Sequence, residues 1–370
     1  MSVLRPKPPE DPISLTLGPL EHAATARLAE FSGVPREGVA HSLQPARLLG
    51  DYMQTRPSSQ LFETLALARM LADAVDAVAV VCRSPLGHAL QGMFQTCCHP
   101  FHNHLSRGER GGRPRLFIDV ALGQHDPDRT AGLIDLIAAA RSDDLLERWG
   151  MLMLAEAHGL SDTRAPAAGG LDLSPYWHQE LEVGRGPLAD VFSPAVLLTA
   201  SVAGIDVVRF LGGGAAMLRR FQESPAETNP PMLLAAAMRA AEPARLALTT
   251  QHAPAADALC HWWAAHEAPL ANPGSPQQWP CELHSLQPRR EGEGWHALHA
   301  PATPDESGLD RPPANRLAII LPRLDEHTLG QLFALRLIAA RLVASSIAGE
   351  TVSAPGEPET ACGATEHREA

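Results

Sequence analysis

Trp149-Gly150-Met151-Leu152-Met153-Leu154-Ala155-Glu156-Ala157-His158-Gly159-Leu160 passes from an apolar run into a tight junction. Met151 to Leu154 reads as a buried strand, and the residues after it as the loop that precedes a helix. In an α/β protein that junction is where an anionic substrate is gripped, by glycines, hydroxyls and the N–H groups of a helix start. The position is present and the chemistry is not. A carboxylate (Glu156), two alanines and a leucine stand where a phosphate cradle needs Ser, Thr or Lys.

Outward from this junction, strand and helix signals alternate. Towards the N-terminus, Leu61 to Ala74 has helical spacing, Ala77 to Val81 is a strand, Leu86 to Cys97 a helix, Arg115 to Val120 a strand and Arg129 to Ala140 a helix. Towards the C-terminus, helical patterns cover Ala195 to Ala203, Val207 to Phe221 and Pro231 to Ala241. Leu246 to Thr249 is a strand, Pro254 to about His266 a helix, Arg316 to Leu321 a strand, and Asp325 to Ile347 a long helix. Asp325 supplies an N-cap and Gly349 a stop. Residues Ala271 to Glu282 and Arg289 to Pro313, dense in Pro and Gly, read as loops. Repeated strand-then-helix order implies βαβ units, and the fold class is α/β: two three-layer αβα sandwich lobes with parallel sheets. The Gly/Pro/Ala-rich break at Ala165 to Pro175 divides a first lobe, 18–170, from a second, 176–349. Residues 1–17 read as a flexible arm and 350–370 as a disordered tail.

Composition narrows the function. The chain has 370 residues, 45% hydrophobic and 19% charged, enough for a sizeable core. A formal net charge of -12 speaks against nucleic acid and anionic membrane, both of which select basic surfaces. No apolar stretch reads as a membrane span, and Met1 to Pro12 lacks the apolar centre of a leader, so the cytoplasm is the expected location. Cysteines at 82, 97, 98, 260, 281 and 362 show no paired spacing and fit reduced thiols. The cluster Cys97, Cys98, His99, His102 and His104 matches no zinc spacing, so neither a metal nor a cofactor is expected. Among 30 Lys and Arg residues only Lys7 is a lysine. Arginine stays protonated at any working pH, so a mechanism that needs a lysine in the folded body is excluded.

Three stretches carry a resemblance. One is Gly204-Ile205-Asp206 followed by Gly214-Ala215-Ala216-Met217 and by Asn229-Pro230 before a helix. The second is Leu321-Pro322-Arg323-Leu324-Asp325-Glu326-His327-Thr328-Leu329-Gly330-Gln331-Leu332. The third is His99-Pro100-Phe101-His102-Asn103, continuing into Leu105-Ser106-Arg107-Gly108-Glu109-Arg110-Gly111-Gly112. In order and spacing, over about residues 60 to 350, they resemble the phosphoglucose isomerases. That family is built from two sugar isomerase (SIS) domains and interconverts glucose 6-phosphate and fructose 6-phosphate in glycolysis and gluconeogenesis. The resemblance implies the two-lobed SIS fold and a homodimer in which the His-bearing segment crosses the interface.

It also implies where the chemistry would sit. The family's first phosphate loop, Gly-Ile-Gly-Gly-Ser-x-Leu-Gly-Pro, falls on Val80 to His88, where Ser84, Leu86 and Gly87 remain. The second, Ser-Lys-Ser-Gly-Gly-Thr, falls on Ala155 to Leu160, where only Gly159 remains. Ser84, Gly87 and Gly159 are thus the candidate substrate-binding residues. Each lost charge-assisted hydrogen bond to a phosphate is worth about 1.5–3 kcal/mol. Losing the hydroxyls alone lowers affinity by at least ~100-fold.

Moving a proton between C1 and C2 of a sugar needs a base, a ring-opening acid and cations that steady an enediolate. The family base, a Glu in Trp-Ala-Glu-Ser, has no intact counterpart in Cys260-His261-Trp262-Trp263-Ala264-Ala265-His266-Glu267, and Glu267 is the nearest carboxylate. An alignment anchored on Trp262 puts Pro269 at the base position instead. His284-Ser285 matches the family His-Ser, which makes His284 the catalytic candidate that survives. Val183-Gly184-Arg185-Gly186 resembles the motif of the family arginine and makes Arg185 the third, although ungapped counting from Gly204 puts Leu188 there. The family's C-terminal lysine has no counterpart in Ala348 to Ala370. Trp262 and Trp263 read as buried packing, and His158 and Arg83 as polar surface. The favoured expectation is a catalytically degenerate family member kept as a binding or regulatory scaffold. The alternative is an active isomerase with an altered site that uses His284 and takes a sugar phosphate or another small carbohydrate.

Overall fold

The computed structural model describes residues 12–41, 43, 45–74, 77–82, 86–98, 115–121, 149–155, 190–242, 245–250, 257–267, 278–285 and 317–348. In chain order these form β1 (Ser14–Thr16), α1 (Glu21–Arg27), α2 (Arg36–His41), α3 (Pro45–Thr55), α4 (Gln60–Ala74), β2 (Ala77–Cys82), α5 (Leu86–Cys97), β3 (Arg115–Ala121) and β4 (Trp149–Ala155). There follow α6 (Pro194–Val202), α7 (Val207–Glu223), α8 (Pro230–Ala241), β5 (Arg245–Thr250), α9 (Asp257–Glu267), β6 (Gln278–Ser285), β7 (Leu317–Leu321) and α10 (Glu326–Ala348). The architecture is α/β and mostly helical.

Two sheets organise the helices. The first has the order β2-β3-β4, all parallel, with Ala77 opposite Arg115 and Arg115 opposite Trp149. The strand expected over Met151 to Leu154 is present and extends over Trp149–Ala155. The second sheet has the order β1-β7-β6-β5. Here β5, β6 and β7 are parallel, and β1 runs antiparallel to β7 with Leu15 opposite Ile319. This sheet is therefore mixed, where a parallel one was expected.

Three expectations are corrected with it. The arm expected at 1–17 contains β1. Ile13-Ser14-Leu15-Thr16-Leu17 alternates with a period of two, and Ile13 and Leu17 are buried. The Ile13 N–H donates to Gln331 Oε1 at 3.2 Å, and the Ile13 carbonyl accepts from the Arg220 guanidinium. The loop expected over Ala271 to Glu282 gives way at Gln278 to β6. Pro280 is tolerated because β7 pairing starts at Cys281, so the proline stands opposite Ala247 of β5 alone, at a locally one-sided position. Finally, α10 is apolar enough over Glu326–Ser346 to cross a membrane by length and composition, yet 83% of that window is buried in the protein. It is packed as a core helix. Of the expected elements, the helix at Arg129 to Ala140 lies outside the described residues.

The centre of the fold is the crossing of α7 and α10. A Cβ on Gly213 would overlap the His327 carbonyl oxygen, and one on Gly330 would overlap the Phe210 carbonyl oxygen. Both glycines let the two backbones touch. Around them Phe192, Phe210, Phe333 and Trp262 form a chain of ring contacts with centroids 5.1, 5.8 and 4.4 Å apart. Helix starts are capped by side chains. Ser193, Asp206 and Asn229 accept from the N–H groups of Val196, Arg209 and Met232, with Pro194 and Pro230 at first helical positions. The Asn229 side chain also donates to the Phe221 carbonyl at 2.7 Å, tying the start of α8 to the end of α7.

Candidate functional site

In an α/β sheet, ligands gather beyond the carboxyl ends of parallel strands. His284 is the seventh residue of β6 and lies opposite Ile320 of β7, one step past the level of Thr250 on β5. It stands at the carboxyl edge of the second sheet. Glu267 is the last residue of α9. The chain leaves β5 at Thr250, yet the Trp263 indole N–H donates to the Leu246 carbonyl at 3.1 Å, near the start of β5. Helix α9 thus runs back along the sheet and carries position 267 past its amino edge. Five strand steps and one helical turn separate the backbones of 267 and 284 by on the order of 20 Å. Within one chain the two catalytic candidates lie at opposite edges.

Gly87 is the second residue of α5 and is half-buried. Ser84, Gly159 and Arg185 lie outside the described residues, as does the loop from Glu156 onward; Ala155 closes β4. Trp262 and Trp263 are fully buried. The Trp263 ring lies 4.8 Å from the guanidinium carbon of the buried Arg336. They are core residues and not a sugar-stacking platform.

Two features escaped sequence reading. One is Glu282, a buried carboxylate on β6, between Thr249 of β5 and Ala318 of β7. It stands two positions before His284 in the strand. A period-two reading of Cys281-Glu282-Leu283-His284 would have found it; the Pro and Gly density upstream hid the strand. The other is an ion cluster beyond β7. Asp325 Oδ2 accepts from Arg209 Nη2 at 2.6 Å and from Arg323 Nε at 3.0 Å, and Asp325 Oδ1 caps α10 by accepting from the Thr328 N–H at 2.9 Å. Asp206 caps α7 next to it. Two arginines and two helix starts converge here, which resembles an anion site, but Asp206 and Asp325 cap the two starts and Asp325 pairs with both guanidinium groups, leaving the buried Arg209 Nε without a hydrogen-bond partner. The cluster locks α7 to α10. Sequence could not show it, because Arg209 and Asp325 are 116 residues apart.

The remaining shifted groups are structural. Burial lowers the pKa of Arg220 and of Arg341. The hydrogen bond from Arg27 holds the Glu30 carboxyl below its ordinary value, with Arg239 adding to the effect. Hydrogen bonding to Glu242 raises the pKa of Arg239.

No family model and no curated protein matches this sequence. Solved structures do match its fold. A hypothetical protein from Thermus thermophilus superposes with a TM-score of 0.55 at 15% identity, covering 90% of this chain and 94% of that one. A glucose-6-phosphate isomerase from Chlamydia trachomatis superposes with a TM-score of 0.52 at 9% identity, covering 78% of this chain and 68% of that one. The chain has a distant likeness to the glucose-6-phosphate isomerase fold.

Proposed function

We propose that this protein is a divergent relative of the phosphoglucose isomerases, with SIS-type lobes at 18–170 and 176–349, in which the sugar-phosphate site is lost and the scaffold serves binding or regulation. The observation that carries the reading is the junction after β4. Ala155-Glu156-Ala157-His158-Gly159-Leu160 fills the place of a phosphate loop with one of its six residues kept. At that junction a carboxylate near 5 Å would repel each phosphate charge by roughly 3 kcal/mol at an effective dielectric of 20. The distance between positions 267 and 284 adds to this reading, since a base and a ring-opening acid must both reach one sugar. The test is a coupled assay that converts fructose 6-phosphate to glucose 6-phosphate and reads NADPH from an added dehydrogenase. No turnover above buffer is expected. Turnover abolished by His284→Ala overturns the proposal.

The opposite-edge placement of 267 and 284 favours one second reading. In a homodimer, Glu267 of one protomer and His284 of the partner subunit could share an active site for aldose–ketose isomerisation. Mixing Glu267→Gln protein with His284→Ala protein distinguishes the two. Activity that is absent from each variant and returns on mixing belongs to the shared site. No activity in any combination belongs to the lost site.

A further inference from the structure

Helix α4 has two unlike faces. Leu61, Thr64, Leu67, Ala68 and Leu71 are buried, and the helix packs on α3 and α6. The opposite face is exposed and carries Phe62, Glu63, Ala66, Arg69, Met70 and Asp73. Phe62 is 38% and Met70 49% exposed, although an amphipathic surface helix turns such side chains inward. We infer that this face pairs two copies of the chain, with α4 running antiparallel to the partner's α4 about a two-fold axis at Ala66.

The order of residues along the helix selects a second copy as the occupant. A two-fold axis at position 66 sets residues equally spaced on either side of it against one another. Phe62 then faces the partner's Met70, and Glu63 faces the partner's Arg69. The axis repeats each contact, so the pair gains two apolar contacts and two of opposite charge. Glu63, Ala66 and Arg69 are complementary to themselves when reversed, a property that an unrelated partner would not require. Ala66, at the axis, has a small side chain that lets the helices approach. The surface relief agrees with this register. Among the described residues, Ala66, Arg69, Met70 and Asp73 line an open hollow. Their spacing, i, i+3, i+4 and i+7, makes the four-residue hole that receives one side chain of a facing helix. In the antiparallel register the partner's Phe62 stands over that hollow. The isomerase resemblance implies a dimer contact on the His-bearing segment, whereas α4 precedes β2 and is a separate element, so the pairing does not rest on that reading. Two helices of 15 residues bury less than a standard interface of about 1,600 Å², so the association is weak and concentration-dependent.

Sedimentation equilibrium of the full chain, from low micromolar to millimolar concentration, tests the pairing. Wild type is expected to show an association step that doubles its mass. Glu63→Arg sets like charges opposite each other twice, as does Arg69→Glu, and each should weaken the step at least ~100-fold. Mixing the two variants brings opposite charges together at both contacts, so the mixture should associate as a heterodimer where neither variant does alone. The double reversal, Glu63→Arg with Arg69→Glu, should recover the wild-type step. Both positions are exposed, and recovery on mixing cannot come from misfolded chains. No association step, a step that the single reversals leave unchanged, or a loss that mixing fails to restore overturns the pairing and leaves α4 an exposed face only.

Discussion

The α7–α10 crossing and the junction after β4 have been treated in opposite ways. At the crossing, two glycines sit where a Cβ would strike backbone, Asp206, Asn229 and Asp325 cap helix starts, and Asp325 is matched by Arg209 and Arg323. At the junction, Ala155, Glu156, Ala157 and Leu160 offer neither a hydroxyl nor an amine to an anion. On the proposed reading, a mutation at the crossing costs folding, whereas one at the junction costs a ligand. Under the proposed loss of the sugar-phosphate site, a chain keeps the first set and drifts in the second.

The contrast breaks most visibly at Gly330. Gly330→Val drives a branched side chain into the Phe210 carbonyl, and the expected cost exceeds about 4 kcal/mol, read as loss of the cooperative unfolding transition. Next in size, Asp325→Ala leaves Arg209 and Arg323 without their shared carboxylate and removes the cap of α10. About 3–5 kcal/mol of destabilisation is expected in denaturant titration, and adding Arg209→Met should recover part of it. Asn229→Ala loses the cap of α8 and the bond to the Phe221 carbonyl; a cost of about 1–2 kcal/mol is expected. A milder result at all three positions would show that the crossing is no more constrained than the junction.

The smallest effect sharpens the baseline. Glu30 has its pKa lowered by Arg27 and Arg239. Its stabilisation is therefore present above the unfolded carboxyl value of 4.5 and lost as pH falls through the lower folded value. Because the pair lies at the surface, Glu30→Gln should cost well under about 1 kcal/mol at neutral pH. The difference from wild type should vanish in strong acid, as measured by unfolding midpoints against pH.

How much was legible in the sequence follows the same division. Local signals located the helices read at 86–97, 207–221 and 231–241, the strands read at 77–81 and 151–154, and the cap at Asp325, each within two residues of its observed bounds, because caps, prolines and periodicity act within a few residues. Contacts between distant residues were not legible. These include the pairing of Ser14–Thr16 with β7, the Arg209–Asp325 bridge and the meeting of His88 with His261. Helices α1 and α2 also went unread, because they are only 7 and 6 residues long, too short to show periodicity. For the candidate site, the sequence named Glu267 and His284 but not the length of sheet that lies between them, nor the buried Glu282 beside His284 in the strand.

Direct binding of fructose 6-phosphate weighs the junction most plainly. Calorimetry would compare the native chain with one in which Ala155–Leu160 is replaced by Ser-Lys-Ser-Gly-Gly-Thr. If the phosphate site is lost, the native chain gives no measurable heat, and the replaced chain gains affinity by at least ~100-fold. Native binding as tight as that of the replaced chain would contradict it.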